Sequence, residues 1–378
     1  MSDFLGWVGE LWRTMGFENL VWQQPLMWCI GGLLIFLAIR FEFEPLLLIP
    51  IGLGAIAVNT APELVAPPAG DAAGGLYHYF MYGIHLELFP PLIFLGVGAL
   101  TDFGPLIAAP YTFLLGAAAQ FGIFVTVVGA VWLGFTHQEA ASIGIIGGAD
   151  GPTTIFTTAK LAPHLLGSVM VAAYSYMSLV PVIQPPIIRL LTTKQQRTIR
   201  MEQLRPVSRR ERVLFAVVSM VLCSLVVPAA AALFVMLMLG NLLREALVAD
   251  RLSKAAQNEI INIVTLLLGT CVGMNMHYSM FLTWGSLKIL LLGAVAFAFA
   301  TAGGVLLGQV LCRLTGGKVN PMIGAAGVSA VPMAARVVQR VASAEDPECF
   351  VLMHAMGPNV AGVIGTAVAA GVLIAILQ

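Results

Sequence analysis

Long apolar segments follow one another along almost the whole chain, and they limit its fold more than any other feature of the sequence. Hydrophobic residues make up 59% of the 378 residues and charged residues only 10%, whereas soluble domains carry about 25% charged residues. A chain inside a bilayer must satisfy its backbone polar groups internally, which favours helices of about 20 residues. The sequence therefore predicts an all-α polytopic membrane protein with about ten transmembrane helices.

The boundaries of these helices follow from the polar residues and prolines between the apolar runs. The run from 213 to 243 is ambiguous, because Pro228 could separate two short helices or bend a single long one. The predicted spans are 18–40, 44–62, 90–107, 110–134, 165–190, 212–228, 229–244, 258–275, 279–311 and 350–376.

Two further apolar stretches, 140–160 and 320–343, contain too many Gly, Pro and polar residues for a simple span. Backbone that is not helical survives at membrane depth only where protein buries it or where it lines an aqueous cavity. Each stretch is therefore predicted to be a re-entrant hairpin, which enters the membrane and leaves on the same side.

The basic residues predict which side each loop faces. The net charge is zero, which argues against a nucleic-acid partner. The basic residues are nevertheless clustered, because eight of the 19 lie between Arg189 and Arg212. By the positive-inside rule, the loop 189–212 is cytoplasmic and the polar loop 60–87 is external. Tracing the chain from these loops makes the first hairpin enter from outside and the second from the cytoplasm.

Opposed hairpins are typical of an inverted repeat, and short sequence matches support one. LGVG at 95–98 resembles LGTCVG at 268–273, and LLGAAAQF at 114–121 resembles LLGAVAFA at 291–298. A Gly-rich hairpin follows both pairs, so the predicted architecture is transporter-like. The predicted segments are 1–89 (an N-terminal interfacial helix, two transmembrane helices and the external loop), 90–190 (first repeat), 191–257 (basic loop and connecting helices) and 258–378 (second, inverted repeat).

Asp150 lies between Gly-Gly-Ala and Gly-Pro in the first hairpin. An ionised side chain at membrane depth is unfavourable by about 2.5 to 3.5 kcal/mol even on lenient scales, so such acids mark ion or proton pathways. Asn320 and Ser329 in the second hairpin add oxygen ligands of the kind that sodium takes. The alternative is that Asp150 forms an ion pair with Lys160 or Arg336 and serves packing alone. Hydroxyl groups just beyond Asp150 come from Thr153, Thr154, Thr157 and Thr158.

Arg336 and a pair of tyrosines are the other candidate functional residues. Arg336 follows the apolar SAVPMAA run, where it would bind an anion in a cavity or extend its charge to the membrane surface. Tyr174 and Tyr176 follow the first hairpin, and either hydroxyl could donate a proton or pack with one satisfied hydrogen bond. The cysteines and histidines are scattered without metal-ligand spacing, and no phosphate-binding loop suggests a nucleotide-driven pump.

Four motifs read together resemble a known family: GGADGPT, AAYSYMSLVPVIQPP, NPMIGAAGVSAVPMAARV and LMHAMGPNVAGVIGTAVAAGV. From about Phe43 to its end, the chain resembles the beta subunit of the biotin-dependent sodium-pumping decarboxylases. These enzymes include the oxaloacetate, methylmalonyl-CoA and glutaconyl-CoA decarboxylases. The resemblance implies that this chain decarboxylates carboxybiotin and exports sodium while a proton is taken up from outside.

The resemblance also implies roles and partners. Sodium would bind at Asp150, Asn320, Gly324 and Ser329, with Asp150 also serving the proton, and Arg336 and Tyr176 would act on carboxybiotin. Biotin would be carried by another subunit rather than by this chain. The implied partners are a biotin carrier, a carboxyltransferase, a small gamma- or delta-type membrane subunit, membrane lipid and further copies of the chain in a trimer. The implied location is the bacterial plasma (inner) membrane.

Two alternatives remain open at the level of the sequence. A sodium-coupled secondary carboxylate transporter of elevator type would also have opposed hairpins in an inverted repeat. A membrane scaffold that only docks a soluble partner is disfavoured by Asp150 and Arg336, which lie in or near the membrane. The acid or acyl-CoA that the whole complex decarboxylates cannot be read from this chain, because the carboxyltransferase selects it.

Overall fold

The computed structural model describes residues 20–42, 45–70 and 73–378. The predicted interfacial helix at the N-terminus lies outside these ranges. Helices account for 80% of the structure, and the described ranges contain no strand. The predicted all-α class is confirmed.

In the described chain up to residue 161, each helix ends at a Gly, Pro or polar residue or within two residues of one. Several are short, because the apolar runs here are interrupted by residues that favour turns. The helices are α1 (Gln23–Phe41), α2 (Pro45–Thr60), α3 (Leu76–His85), α4 (Phe89–Leu100), α5 (Gly104–Ala108), α6 (Thr112–Ala119), α7 (Phe121–Trp132), α8 (His137–Gly144) and α9 (Gly151–Leu161).

The described chain from residue 166 onward contains the three longest helices. The longest has 31 residues, enough for about 46 Å at a rise of 1.5 Å per residue. The helices are α10 (Leu166–Leu191), α11 (Lys194–Arg197), α12 (Arg209–Val226), α13 (Ala231–Ala246), α14 (Asp250–Ala255), α15 (Ile261–Met274), α16 (Tyr278–Phe281), α17 (Trp284–Leu314), α18 (Met333–Glu345) and α19 (Leu352–Leu377).

The number of membrane crossings is lower than the sequence suggests when each helix is counted by length and composition. Among the described residues, six helical segments are long and apolar enough to span a bilayer, or up to eight if each of two bent pairs crosses as one. One bent pair turns by 61° between Met177 and Leu179. Pro181 explains this bend, because its ring clashes with the carbonyl of residue 177 and its nitrogen has no hydrogen to donate to that carbonyl. The count of about ten spans therefore stays a prediction.

The run around Pro228 forms two helices rather than one bent helix. Val227 leaves the helical region at φ −135° and ψ 77°, and α13 begins after a short 3₁₀ turn. The guanidinium group of Arg209 donates to the carbonyl oxygens of Glu245, at 3.1 Å, and of Ala246. The start of α12 thus lies beside the end of α13, and the two helices form an antiparallel hairpin.

The chain divides into two compact units, the first comprising residues up to 83 together with 266–283. In this unit the buried side chain of Asn59 joins α2 to the turn after α15. Its amide donates to the carbonyl of Met276 at 2.8 Å, and its carbonyl accepts from the N–H of Tyr278 at 2.9 Å. Asn59 therefore satisfies backbone groups that a turn between apolar helices would leave unpaired.

The second unit, residues 84–265 and 284–378, contains both hairpins. Its central helix is α19, which is buried along most of its length. Many of its own buried residues are small, such as Gly, Ala and Thr. Small side chains let neighbouring backbones approach closely in a membrane. Large apolar side chains of α12, including Leu214, Leu222 and Leu225, are exposed, as expected for a surface that faces lipid. This arrangement places α19 beside both hairpins.

Candidate functional site

The first hairpin consists of α8, a 3₁₀ turn at Ile145–Gly148 and α9. Ala149 adopts a left-handed conformation at φ 59°, which is uncommon for a residue with a side chain. Asp150 then caps α9 and Pro152 occupies its first turn, where the missing N–H of proline leaves no unpaired donor. The predicted break in the helix at Asp150 is therefore observed.

The carboxylate of Asp150 is buried, with 6% of the residue exposed. One of its oxygens accepts the N–H of Thr153 at 3.2 Å, and the other accepts the Thr153 hydroxyl at 2.8 Å. No ion pair joins Asp150 to any residue that the structure describes. The predicted alternative of a packing ion pair is not observed, because Lys160 pairs instead with Glu87 at 3.1 Å.

The second hairpin differs from the first in its first arm. Pro321–Gly327 forms a 3₁₀ helix, and an extended segment leads into α18. Side-chain amides hold the carbonyl groups of this arm: Gln184 donates to Ala325 at 2.8 Å, and Asn359 donates to Ala326 at 2.9 Å. The side-chain carbonyl oxygens of Gln184 and Asn359 are buried, and they accept no hydrogen bond from the residues that the structure describes.

The tips of the two hairpins meet. The N–H of Ser329 donates to the carbonyl of Gly148 at 2.9 Å, two residues before Asp150. Between them lies the hydroxyl of Thr366, with its oxygen 2.7 Å from the Ser329 hydroxyl, 3.0 Å from the Gln120 side-chain oxygen, 3.0 Å from the Gly362 carbonyl and 3.5 Å from the Gly148 carbonyl. We call these five oxygens the tip oxygen cluster. Neutral hard oxygens of this kind, together with a nearby carboxylate, suit sodium.

The two hairpins enter from opposite sides of the unit. The first hairpin ends near Lys160, whose ion pair with Glu87 places it beside the predicted external loop. The second begins at Asn320, whose amide donates to the carbonyl oxygens of Arg197 and Ile199 in the basic loop, at 3.3 and 3.0 Å. The predicted opposition of the hairpins agrees with these contacts.

Asn320 and Gly324 lie along the arm of the second hairpin rather than at its tip. The Asn320 side-chain oxygen caps the 3₁₀ helix by accepting the Met322 N–H at 3.0 Å. A side-chain carbon at Gly324 would overlap the backbone of Gly304 in α17. Neither residue contacts Asp150 among the described contacts. In this conformation both instead fix the shape of the hairpin arm.

The two tyrosines of the YSYM motif face different neighbours. The ring of Tyr176 packs against Phe297 with centroids 6.1 Å apart, and its hydroxyl donates to the carbonyl of Leu290 in α17. Tyr174 is 2% exposed, and its ring lies against the α-carbon of Gly151, where any side chain would overlap it. Tyr174 is therefore the tyrosine beside Asp150, although the sequence alone did not distinguish the two.

The remaining predicted residue, Arg336, lies on α18 with its side chain exposed, and no ion pair or hydrogen bond joins it to a described residue. Asp102, which the sequence places within an apolar run, is instead partly exposed and forms an ion pair with Arg212 at 3.1 Å. Sequence reasoning also missed Thr366. Its only signal was a single hydroxyl residue in the otherwise apolar part of α19 that follows Asn359.

Comparison with known proteins identifies the family. Residues 23–377 match the family described as Na+-transporting oxaloacetate decarboxylase beta subunit. The chain is 55% identical to the glutaconyl-CoA decarboxylase subunit beta of Acidaminococcus fermentans, over 100% of this chain and 99% of the relative. It is 56% identical to the methylmalonyl-CoA decarboxylase subunit beta of Veillonella parvula, over the full length of both. It is 48% identical to the oxaloacetate decarboxylase beta chain 2 of Salmonella typhi, over 97% of this chain and 98% of the relative. This multi-pass membrane chain therefore belongs to the family of beta subunits of sodium-transporting decarboxylases.

Proposed function

We propose that this chain is the membrane subunit of a sodium-pumping decarboxylase. It releases carbon dioxide from carboxybiotin that a partner subunit carries, and it couples this reaction to sodium export. The observation that carries the proposal is the match of residues 23–377 to a single family of such subunits. The same match favours this function over a sodium-coupled carboxylate transporter.

The sodium ion binds, in this proposal, between Asp150 and Ser329. The carboxylate of Asp150 supplies the negative charge. The tip oxygen cluster, which includes the carbonyl of Gly148 two residues before Asp150, supplies neutral ligands. Asn320 and Gly324 support the site by fixing the arm that carries Ser329. Because Asp150 has no basic partner among the described residues, a cation can compensate its charge without breaking an ion pair.

The chemical step breaks the bond between the carboxyl carbon and the ureido nitrogen of biotin. Carbon dioxide leaves, and the nitrogen takes up one proton. Arg336 is proposed to orient the carboxylate, because its exposed guanidinium group is not engaged by a described residue and can form two parallel hydrogen bonds. Tyr176 is proposed to relay the proton: its hydroxyl leaves the Leu290 carbonyl, gives its proton to the nitrogen and regains one from the proton taken up from outside. Asp150 takes up the returning proton once sodium has left.

The proposal includes partners. A biotin carrier and a carboxyltransferase deliver carboxybiotin from the cytoplasm, and a small membrane subunit and two further copies of this chain complete the membrane part. Opposed hairpins support a cycle in which their movement against the other helices exposes the sodium site to each side in turn.

Replacement of Asp150 tests the sodium assignment. In the purified complex, Asp150→Ala should abolish both sodium transport into vesicles and sodium-dependent release of carbon dioxide. Asp250→Ala is the matched control, because Asp250 is exposed and its one ion pair among the described residues is with Lys254, one helical turn away. Sodium-dependent turnover that survives in Asp150→Ala would remove Asp150 from the sodium site.

A further inference from the structure

A cavity of about 440 Å³ lies on the side of the basic loop in the second unit, away from the hairpin tips. Its walls come from the segment after α4, from residues 201–207 and from the start of α19. Its volume is within the range of about 300 to 1,000 Å³ that small-molecule sites occupy. The polar side chains in its lining are Asp102, Gln203, Arg205, Arg212 and His354.

The lining contains two arginines and one carboxylate, that of Asp102. Two acids outside the lining also pair with these arginines: Glu211 with Arg205 at 2.9 Å and Glu245 with Arg212 at 3.6 Å. Arg212 donates to Asp102 through Nη1 at 3.1 Å, whereas no described residue accepts a hydrogen bond from its Nη2. Nη2 lies against Gly104, where a side-chain carbon would be only 3.1 Å away, so the absence of a side chain leaves this nitrogen open to the cavity. The free edge of this guanidinium group can donate hydrogen bonds to a single carboxylate.

The second arginine, Arg205, lies at the exposed edge of the cavity, with 50% of its side chain exposed. It donates to Glu211 at 2.9 Å and, at 3.4 Å, to the carbonyl oxygens of Pro206 and Ile107. A partly exposed arginine of this kind can turn toward a ligand without leaving a buried charge unpaired. Arg205 and Arg212 therefore provide one exposed and one partly buried donor on the same cavity.

The other walls are apolar. Apolar side chains suit the faces of a ring better than the charged surface of a phosphate group. Those in the walls are Pro105, Ala108, Met201, Leu204, Pro206, Val207, Phe350 and Met353. A ligand with a flat apolar body and one carboxylate would satisfy both parts of the lining.

We infer that this cavity receives the carboxylated ureido ring of biotin from the partner's carrier, before the ring reaches Arg336. The inference rests on the proposed function, and it adds a docking site formed by Arg205, Arg212 and Gly104, which the family motifs do not include. The cavity binds the ring and takes no part in breaking the carboxyl bond. His354 in its wall and Thr366 in the tip oxygen cluster lie on the same helix, about 18 Å apart along its axis. α19 thus connects the docking site to the sodium site.

Two variants and a matched control test the docking site in the purified complex. Arg205→Met removes the exposed donor, and Ala108→Phe fills the cavity from its wall. Arg210→Met removes an equal charge from an exposed residue outside the cavity. With carrier whose biotin has been carboxylated with a ¹⁴C label, the carrier concentration at half-maximal release of labelled carbon dioxide should rise about tenfold in both cavity variants. The maximal rate should change less than twofold, and Arg210→Met should behave as the unmodified complex.

A direct binding measurement separates this inference from the proposed function. The full chain in detergent should bind the biotinylated carrier domain more tightly than the carrier without biotin, and Ala108→Phe should remove that difference. Equal binding of both carriers by the unmodified chain, or cavity variants that match Arg210→Met in both measurements, would overturn the docking site. The proposed function itself would stand in that case, provided that the unmodified complex releases carbon dioxide in a sodium-dependent manner.

Discussion

At the scale of single residues, the carboxylate of Asp150 is held by one neighbour. Thr153 binds it through both its backbone N–H and its hydroxyl, so the orientation of the carboxylate depends on this side chain. The other threonines of α9 direct their hydroxyls to backbone carbonyls of the same helix. They do not contact the carboxylate.

Thr153→Val should therefore weaken sodium binding, because it removes a hydrogen bond to a charged group, worth about 1.5 to 3 kcal/mol. We expect the sodium concentration for half-maximal carbon dioxide release to rise about tenfold or more. Thr157→Val is the matched control, since its hydroxyl donates only to the backbone oxygen of Thr153. A similar rise in both variants would mean that the helix, rather than the contact with Asp150, sets the affinity.

Glu139 provides a prediction about pH at the first turn of α8, outside the membrane-spanning segments. Its carboxylate accepts the backbone N–H of Thr136 and a hydrogen bond from His164, and these contacts lower the pKa of Glu139 from 4.5. A lowered native pKa adds stability above the pKa of the unfolded chain, and that stability is lost as pH falls through the native pKa. The contribution should be below about 1 kcal/mol, because the partner His164 is largely exposed.

Thermal unfolding of the purified protein in detergent checks this prediction. Glu139→Gln should unfold at a lower temperature than the unmodified protein at neutral pH, and the difference should disappear on acidification below about pH 4. Glu259→Gln, at an exposed position, should give no such convergence. A difference that is constant across this pH range would show that the charge of Glu139 does not stabilise the fold.

At the scale of elements, the second hairpin is positioned by contact between two backbones. Gly324 in the hairpin and Gly304 in α17 approach so closely that a side-chain carbon at either would overlap the other's carbonyl. The contact holds the 3₁₀ arm against a helix that runs through the second unit. Its loss would displace the hairpin without altering any sodium ligand.

Gly324→Ala and Gly304→Ala should therefore have the same effect. Each should destabilise the protein by about 1 to 3 kcal/mol through overpacking and lower sodium-dependent turnover. Gly32→Ala in α1 is the control, because no atom lies within 4 Å of the added carbon, and alanine in a helix should raise stability by about 0.5 to 1 kcal/mol. Turnover lost in Gly324→Ala, with unchanged stability and an active Gly304→Ala, would instead indicate that sodium binds at Gly324.

The sequence predicted these elements unequally, for physical reasons. The break at Asp150 was predictable because Gly and Pro interrupt helices locally. The meeting of Thr366 with Gln120 was not, because these residues are 246 positions apart and only the packing of α19 brings them together. Which of Tyr174 and Tyr176 lies beside Asp150 depends on the direction of α10 before its bend, and apolar periodicity does not determine that direction.

At the scale of the whole molecule, the distribution of charge and the contacts of the hairpins agree on one orientation of the chain in the membrane. The basic loop lies at the base of the second hairpin, and Glu139 and Glu87 lie at the base of the first. The positive-inside rule then places the first base outside the cell and the second base in the cytoplasm.

Labelling of single cysteines checks this orientation. In a variant without the five native cysteines, Gln138→Cys should react with a membrane-impermeant maleimide in intact cells, because Gln138 is exposed at the external base. Gln195→Cys, exposed in the basic loop, should react only after the membrane is opened. The reverse pattern would invert the proposed direction of sodium transport.

The tip oxygen cluster has one further consequence, which follows from counting hydrogens. Its two hydroxyl groups, on Thr366 and Ser329, hold only two hydrogens between them, and they share these among five oxygens. The Gly148 oxygen also accepts the Ser329 N–H, and the Gly362 oxygen also accepts the side-chain amide of Gln120. At least one lone pair in this buried place is therefore directed at another oxygen rather than at a hydrogen. A monovalent cation bound among these oxygens would remove that repulsion, whereas a neutral ligand without hydrogens would not. The two hairpin tips should therefore lie closest together when a cation is bound.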